Sequence, residues 1–214
     1  MSKTALIWGA GGGIGGALGR LLRAEGWQVI AVARGLNGIE EFAPLAFEAD
    51  FGNPTMVQTT VTAIAQQVDT VDWWIYTAGD IVAAQVREMT PEAWRRILDA
   101  NLTGVYHTVH FSLPLLSSQA PLYLLGAVNE RMRLPGLSAY VAAKAGLEAL
   151  AEVLRKELRR TVVVVRPAAV NTPLWNKVPF KLPSNAMTPE ALAERMLQAY
   201  MQGMKDGLMD VLYS

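Results

Sequence analysis

Residues 4–16 read TALIWGAGGGIGG: an apolar, strand-like run from Thr4 to Trp8, a turn dense in glycine, then the start of a helix whose pattern runs to about Glu25. The order strand, glycine turn, helix decides the fold. Lacking side chains, Gly9, Gly11, Gly12, Gly13 and Gly15 let the backbone turn tightly and let a phosphate come close, and the amide groups opening the helix favour its charge. Ile14 lies in the same turn and belongs to the same candidate cradle. A glycine loop alone is a weak signal, because a strand-to-helix turn that binds nothing can have this composition.

Strand-like runs recur at WQVIAVA (27–33), LAFEA (45–49), VDWWIY (71–76), PLYLLG (121–126), TVVVV (161–165) and GLMDVLY (207–213), with longer helical patterns between them. This alternation predicts an α/β protein with a doubly wound (Rossmann), mostly parallel sheet and helices on both faces, in one domain over residues 1–214. Val162 to Val165 lack polar alternation, as an inner strand covered on both faces requires. Asn53-Pro54, Thr90-Pro91 and Thr188-Pro189 each set a capping side chain before a proline at the first helical position, which marks three helix starts. Beyond Asn53, the residues Val57, Val61, Ile64 and Val68 form an apolar stripe at helical spacing.

The totals exclude several function classes. A chain of 214 residues suffices for one sizeable core. Its formal net charge of zero lacks the basic excess of a nucleic-acid binder, so no nucleic-acid partner is expected. Zero cysteines exclude disulfides and thiolate sites, and two histidines make a metal site unexpected. Glycines interrupt the N-terminal apolar run, and no stretch approaches the roughly 18 apolar residues of a membrane helix. The expectation is a soluble, unprocessed, cytoplasmic protein with no membrane partner.

About 20 residues beyond such a glycine turn, a dinucleotide without a 2′-phosphate usually meets an Asp or Glu that accepts its ribose hydroxyls. Residues 31–38 read AVARGLNG, without a carboxylate, and Arg34 offers a planar donor fork suited to a phosphate. The expected cofactor is NADP(H) rather than NAD(H).

The segment LYLLGAVNERMRLPGLSAYVAAK, residues 122–144, ends with Tyr140 and Lys144 one helical turn apart. That spacing puts both on one face. A phenol of ordinary pKa about 10 is a poor base at neutrality, but a nearby ammonium favours its ionised form and suits it to general acid–base work. The bland reading is an interfacial tyrosine and a snorkelling lysine on an alanine-rich helix.

In order and placement, Gly9-x3-Gly13-x-Gly15, Asn101 and Tyr140-x3-Lys144 resemble the short-chain dehydrogenase/reductase family of the classical, single-domain type, over nearly the whole chain. The resemblance implies hydride transfer between a nicotinamide ring and a small carbonyl or alcohol substrate, with Tyr140 exchanging the oxygen's proton. It further implies Lys144 at the nicotinamide ribose, Asn101 holding a water that passes protons, and Asp50 with Phe51 at the adenine. Ala78-Gly79 resembles the last half of the family's Asn-Asn-Ala-Gly. Residues 166–173, RPAAVNTP, are similar to its Pro-Gly-x-Val-x-Thr segment, which places Pro167, Val170 and Thr172 at the carboxamide, with Ala168 replacing the glycine.

Several positions depart from the family pattern. Ala127 stands where a serine would donate to the substrate oxygen, and loss of one such donor typically costs about 3 to 4 kcal/mol. Asn129, two residues on, is the candidate replacement or else a polar turn residue, while Ser138 is expected as the N-cap of the Tyr140 helix. Trp8 and Thr77 replace a threonine and an asparagine that tie two strand ends together. The cover after Thr172, with Trp175 and Phe180, is small. These departures motivate a rival reading, a catalytically weak or inactive NADP(H)-binding sensor or interaction protein. Long helices from about Pro91 and Ala139, the second bearing Ala142, Ala143, Ala145 and Ala149, suit a homodimer or homotetramer but could equally pack inside the subunit.

Overall fold

The computed structural model describes residues 2–205 and 207–212, apart from the side chain of Asn129. Its strands are β1 (Thr4–Trp8), β2 (Gln28–Ala33), β3 (Leu45–Glu48), β4 (Trp73–Tyr76), β5 (Leu122–Leu125), β6 (Val162–Pro167) and β7 (Gly207–Val211). They form one sheet in the order β3-β2-β1-β4-β5-β6-β7, with every pairing parallel. The strand order reverses between β1 and β4, and in open sheets of this kind ligands bind beyond the strands' carboxyl ends at that point.

Helices cover both faces, as the alternation predicts. On one side, Leu18 and Leu22 of α1 (Gly13–Ala24) and Leu192 and Met196 of α6 (Pro189–Met201) pack with Ile7, Val29 and Val163. On the other, Val57, Val61 and Ile64 of α2 (Pro54–Ala65), Val105 and Val109 of α4 (Gly104–Ser112) and Leu147 of α5 (Ser138–Leu158) pack with Leu6, Trp74 and Val164. Val68 lies past the end of α2 and packs at the rim of this core. The three expected caps form: Asn53 accepts from the amides of Thr55 and Met56, Thr90 from Ala93 and Thr188 from Ala191. No helix among the described residues is long and apolar enough to cross a membrane.

Three indoles, Trp8, Trp73 and Trp74, lie fully buried with their N–H groups unpartnered. Each orphaned donor costs about 1–3 kcal/mol. Burying roughly 150–250 Å² per ring at about 25 cal/mol per Å² contributes about 4–6 kcal/mol, so burial wins.

Some boundaries differ from the sequence expectation, for local reasons. β4 begins at Trp73 because Val71 makes a bridge with Leu116 and the Asp72 carboxylate accepts from the Thr4 amide. β6 runs on through Arg166 and Pro167, which still pair with β7. Ser138 is not a cap: it is the first residue of α5, Leu137 holds the cap position, and the Ser138 hydroxyl is buried without a hydrogen bond. Tyr213, placed in the last strand by its pattern, lies outside the described residues.

The glycine turn is held by contacts that only glycine permits. Gly9 has φ +98°, and a Cβ there would lie 2.4 Å from the amide nitrogen of Ala78, just past β4. A Cβ on Gly15 would lie 2.4 Å from the Gly9 carbonyl and 2.6 Å from the Thr77 hydroxyl. The tie between strand ends is rebuilt rather than lost: the Thr77 amide donates to the Trp8 carbonyl at 2.8 Å, and its hydroxyl lies 3.2 Å from the carbonyls of Trp8 and Gly9. Gly9→Ala combines the left-handed penalty of roughly 1–2 kcal/mol with this collision, and is expected to lower stability by about 3 kcal/mol. Denaturant unfolding checks it; a loss below about 1 kcal/mol would show that the turn yields easily.

Candidate functional site

The cradle lies at the start of α1. Gly11 and Gly12 are exposed, Gly12 occupies the N-cap without a side-chain cap, and no acidic residue sits in the first turn. The first-turn amides thus keep their preference for an anion. Ile14 packs at the edge of the core beneath. Gly11 faces Ala33 and the carbonyl of Gly35, and the exposed Arg34 stands between those two residues at the end of β2. Gly13 faces the Thr172 methyl, so the loop after β6 reaches the same turn.

The predicted adenine residues divide. Asp50 is exposed and its carboxylate accepts from the Gly52 amide. Phe51 is buried, its ring 5.4 Å from Trp8 and 5.8 Å from Tyr76, so what it presents to a ligand is backbone. Val170 likewise has its side chain in the core. These residues were legible only as positions near the strand ends; which way each side chain turned was decided by packing.

The second half of the site adjoins the first. Ala78 touches Gly9, and a Cβ on the next residue, Gly79, would lie 3.0 Å from Asn101 Oδ1 and 3.9 Å from Lys144 Nζ. Asn101 is fully buried in a π-helical turn (Asp99–Thr103) between α3 (Pro91–Leu98) and α4. Its amide donates to the carbonyls of Asp80 (2.7 Å) and Ile97 (2.8 Å), and its Oδ1 has no partner. Lys144 Nζ donates to the Leu125 carbonyl at the end of β5 (2.6 Å) and lies 5.7 Å from the Tyr140 ring centre. The geometry therefore brings the glycine turn, Ala78-Gly79, Asn101, Lys144 and Tyr140 to one edge of adjacent strands.

Electrostatics at this edge run against the sequence expectation. Burial pushes the Tyr140 phenol up to about 12, and burial also lowers the Lys144 ammonium to about 7. Desolvation dominates because Tyr140 is 8% and Lys144 3% exposed. The phenol is thus a proton donor at neutrality, and the lysine titrates there. Between pH about 7 and 10.5 the unfolded chain holds a lysine proton that the folded chain gives up, so stability on this account rises with pH through that window. Below about pH 7 the penalty is complete. Lys144→Met removes the penalty at the cost of one hydrogen bond worth about 1 kcal/mol. Thermal unfolding is expected to shift up by roughly 5 °C at pH 6 and by clearly less at pH 9; a fall at pH 6 would contradict the buried-charge account.

Ala127 is buried and shares an apolar cluster with Tyr140, Ile81, Ile97, Leu137 and Ala139. The Asn129 side chain lies outside what is described; its backbone opens a short 3-10 turn (Asn129–Met132). Over the cluster lie Leu174, Val178 and Phe180 from the segment after β6. Trp175 ties that segment back, its indole donating to the Val170 carbonyl at 2.8 Å. Of the alanines on α5, Ala139, Ala143 and Ala151 are buried, whereas Ala142, Ala145 and Ala149 are exposed.

Two charged groupings escaped sequence reasoning. Arg166 is 7% exposed and faces Asp210 (2.7 Å), Glu130 (3.3 Å) and Glu148 (3.4 Å), drawn from β7, the turn after β5, and α5. Asp80, 2% exposed, faces Lys177 (2.6 Å) and Arg96 (3.1 Å). A carboxylate soon after an apolar strand, next to Ala78-Gly79, was the available signal for Asp80; its partner 97 residues away left none.

Residues 3–181 match the family described as short chain dehydrogenase. A 3beta-hydroxysteroid dehydrogenase of Eggerthella lenta is 31% identical over 188 residues, covering 80% of this chain and 72% of that one. A D-beta-hydroxybutyrate dehydrogenase of Rhizobium meliloti is 26% identical over 217 residues, covering 94% and 83%. Among solved structures, a 3-ketoacyl-(acyl-carrier-protein) reductase of Brucella melitensis, complexed with NADH, superposes with a TM-score of 0.87 at 24% identity, covering 98% and 96%. The chain belongs to the short-chain dehydrogenase family, a family of oxidoreductases.

Proposed function

We propose that the protein is an NADP(H)-dependent oxidoreductase of small carbonyl or alcohol substrates, with Tyr140 as general acid/base. The observation that carries this reading is the continuity of the site: the anion-favouring turn adjoins Ala78, and the neighbouring Gly79 lies beside Asn101 and Lys144, next to Tyr140. The cradle fits a dinucleotide, because Gly11 and Gly12 are exposed and carry no side chain beside the turn; a Cβ on Gly11 would already press on Ala33 at 3.2 Å, and one on Gly12 would meet the Gly9 carbonyl at 3.4 Å. Gly9, Gly11, Gly12, Gly13, Ile14 and Gly15 would hold the pyrophosphate, Asp50 and the Phe51 backbone the adenine, Ala78, Gly79 and Lys144 the nicotinamide ribose, and Pro167, Val170 and Thr172 the carboxamide. When bound, the coenzyme supplies or accepts the hydride.

Tyr140, held protonated by burial, gives its proton to a carbonyl oxygen in the reductive direction. Lys144 stands one helical turn away, and Asn101 fixes the turn that walls the site. The apolar cluster around Ala127 would receive the substrate's hydrocarbon part. Titration with NADPH, followed by absorbance against aldehydes, ketones and quinones, tests the reading. Binding together with oxidation supports it; tight binding without oxidation of any substrate supports the sensor reading, which Ala127 and the burial of Tyr140 favour.

For the coenzyme, Arg34 is exposed at the end of β2 beside the turn, and its guanidinium suits a 2′-phosphate. Arg34→Ala is expected to weaken NADPH about tenfold or more while changing NADH by less than about twofold. Equal weakening of both, measured by fluorescence titration, would remove Arg34 from phosphate recognition. The exposed stripe Ala142, Ala145 and Ala149 would permit close approach of a second copy of α5, which supports a homodimer or homotetramer.

A further inference from the structure

The segment after β6 forms a closed loop over the Tyr140 cluster. Its base is pinned by backbone bonds, Asn171 donating to Met187 and Met187 to Ala169. Its near side is a short 3-10 turn (Pro173–Lys177), and Leu174, Val178 and Phe180 lie on the cluster that contains Tyr140 and Ala127. At the end of that turn Lys177 reaches across to Asp80, which follows Gly79 in the loop after β4.

Asp80 is an unusual group for that place. Its side chain is 3% exposed, and an ionised carboxylate is stable there only because each oxygen is matched. Oδ1 accepts from the Ile81 amide (2.9 Å) and from Lys177 (2.6 Å), and Oδ2 pairs with Arg96 of α3 (3.1 Å). The same residue's carbonyl accepts from Asn101 (2.7 Å). One residue therefore joins the buried turn beside Lys144 to the loop lying on Tyr140.

We propose that Asp80 is a positioning residue, which through Lys177 clamps residues 173–180 shut over Tyr140 and so governs entry to the site. The assignment rests on the functional reading above for what enters, but the clamp itself belongs to the fold. Tyr140 is 8% exposed, and Leu174, Val178 and Phe180 pack on the cluster to which it belongs, so on this account a substrate gains Tyr140 when the loop lifts and Lys177 leaves Asp80. The contact is worth more than an ordinary surface pair because one partner is buried. Arg96 and the Ile81 amide remain when Lys177 is replaced, so the carboxylate keeps partners and the fold survives.

The loop carries its own reporter, since trypsin cuts after Lys181. In Lys177→Met and in Asp80→Asn, tryptic cleavage after Lys181 is expected to run about tenfold faster than in the wild type, because cleavage tracks the open population. Lys177→Arg, which keeps a charged donor, should restore the slow rate, and cuts outside residues 173–181, followed by mass spectrometry, should stay within about twofold. Unchanged cleavage after Lys181 in Lys177→Met, or acceleration spread evenly along the chain, would overturn the clamp. These rates need no turnover. A protein inert toward NADPH and carbonyls that still shows this pattern would lose the oxidoreductase reading and keep the clamp, and an active protein without the pattern would do the reverse.

Discussion

Tyr140→Phe is expected to lower kcat by about 10²–10⁴-fold, the range contributed by a positioned acid or base, while leaving the NADPH dissociation constant within about twofold. The substitution deletes one oxygen and keeps the ring that packs with Ala127, Ile81 and Leu137. A folding loss would therefore be small, and unchanged thermal unfolding serves as the control. The pH profile adds a sign: with the phenol held near pKa 12, reduction should not fall at alkaline pH until well above neutrality on account of Tyr140 itself. Turnover that survives Tyr140→Phe would transfer the proton step to another group and defeat the mechanism.

The second large effect runs the other way. Ala127→Ser should raise kcat by roughly a hundred to a thousandfold if the site lacks an oxyanion donor, the size of the effect such a donor has elsewhere. Position 127 follows β5 by two residues and shares a cluster with Tyr140, so a serine there adds a hydroxyl to the same cluster as the phenol. In the absence of substrate that hydroxyl would sit in an apolar wall, so thermal stability should fall slightly while the rate rises. A rate that stays level would mean that a donor is already present, and Asn129→Ala would then be the variant to measure. Under the sensor reading there is no turnover before or after the substitution, which distinguishes it from an active protein whose rate stays level.

The architecture was legible because local signals agreed. Apolar runs separated by capped helices demanded a parallel sheet, and the caps at Asn53, Thr90 and Thr188 bond as their sequence required. Ser138 shows the limit: a serine before a helical run reads as a cap, yet the chain enters α5 at Leu137, and neighbouring packing buries the hydroxyl without a partner. Trp8 and Thr77 show another, since the loss of a familiar residue pair left open whether the strand ends remain tied, and a threonine hydroxyl aimed at two carbonyls supplies the tie.

The sequence alone determined the layers, the parallel sheet with its glycine turn after the first strand, and the helical face that holds Tyr140 and Lys144, because each follows from periodicity within a few residues. Tertiary structure alone decided the charges at the site. Lys144 lost its ammonium's ease to burial rather than lending it to the phenol, and Asp80 met Lys177 across a gap of 97 residues. Desolvation and long-range pairing depend on what surrounds a group in space, and no stretch of neighbouring letters carries that information.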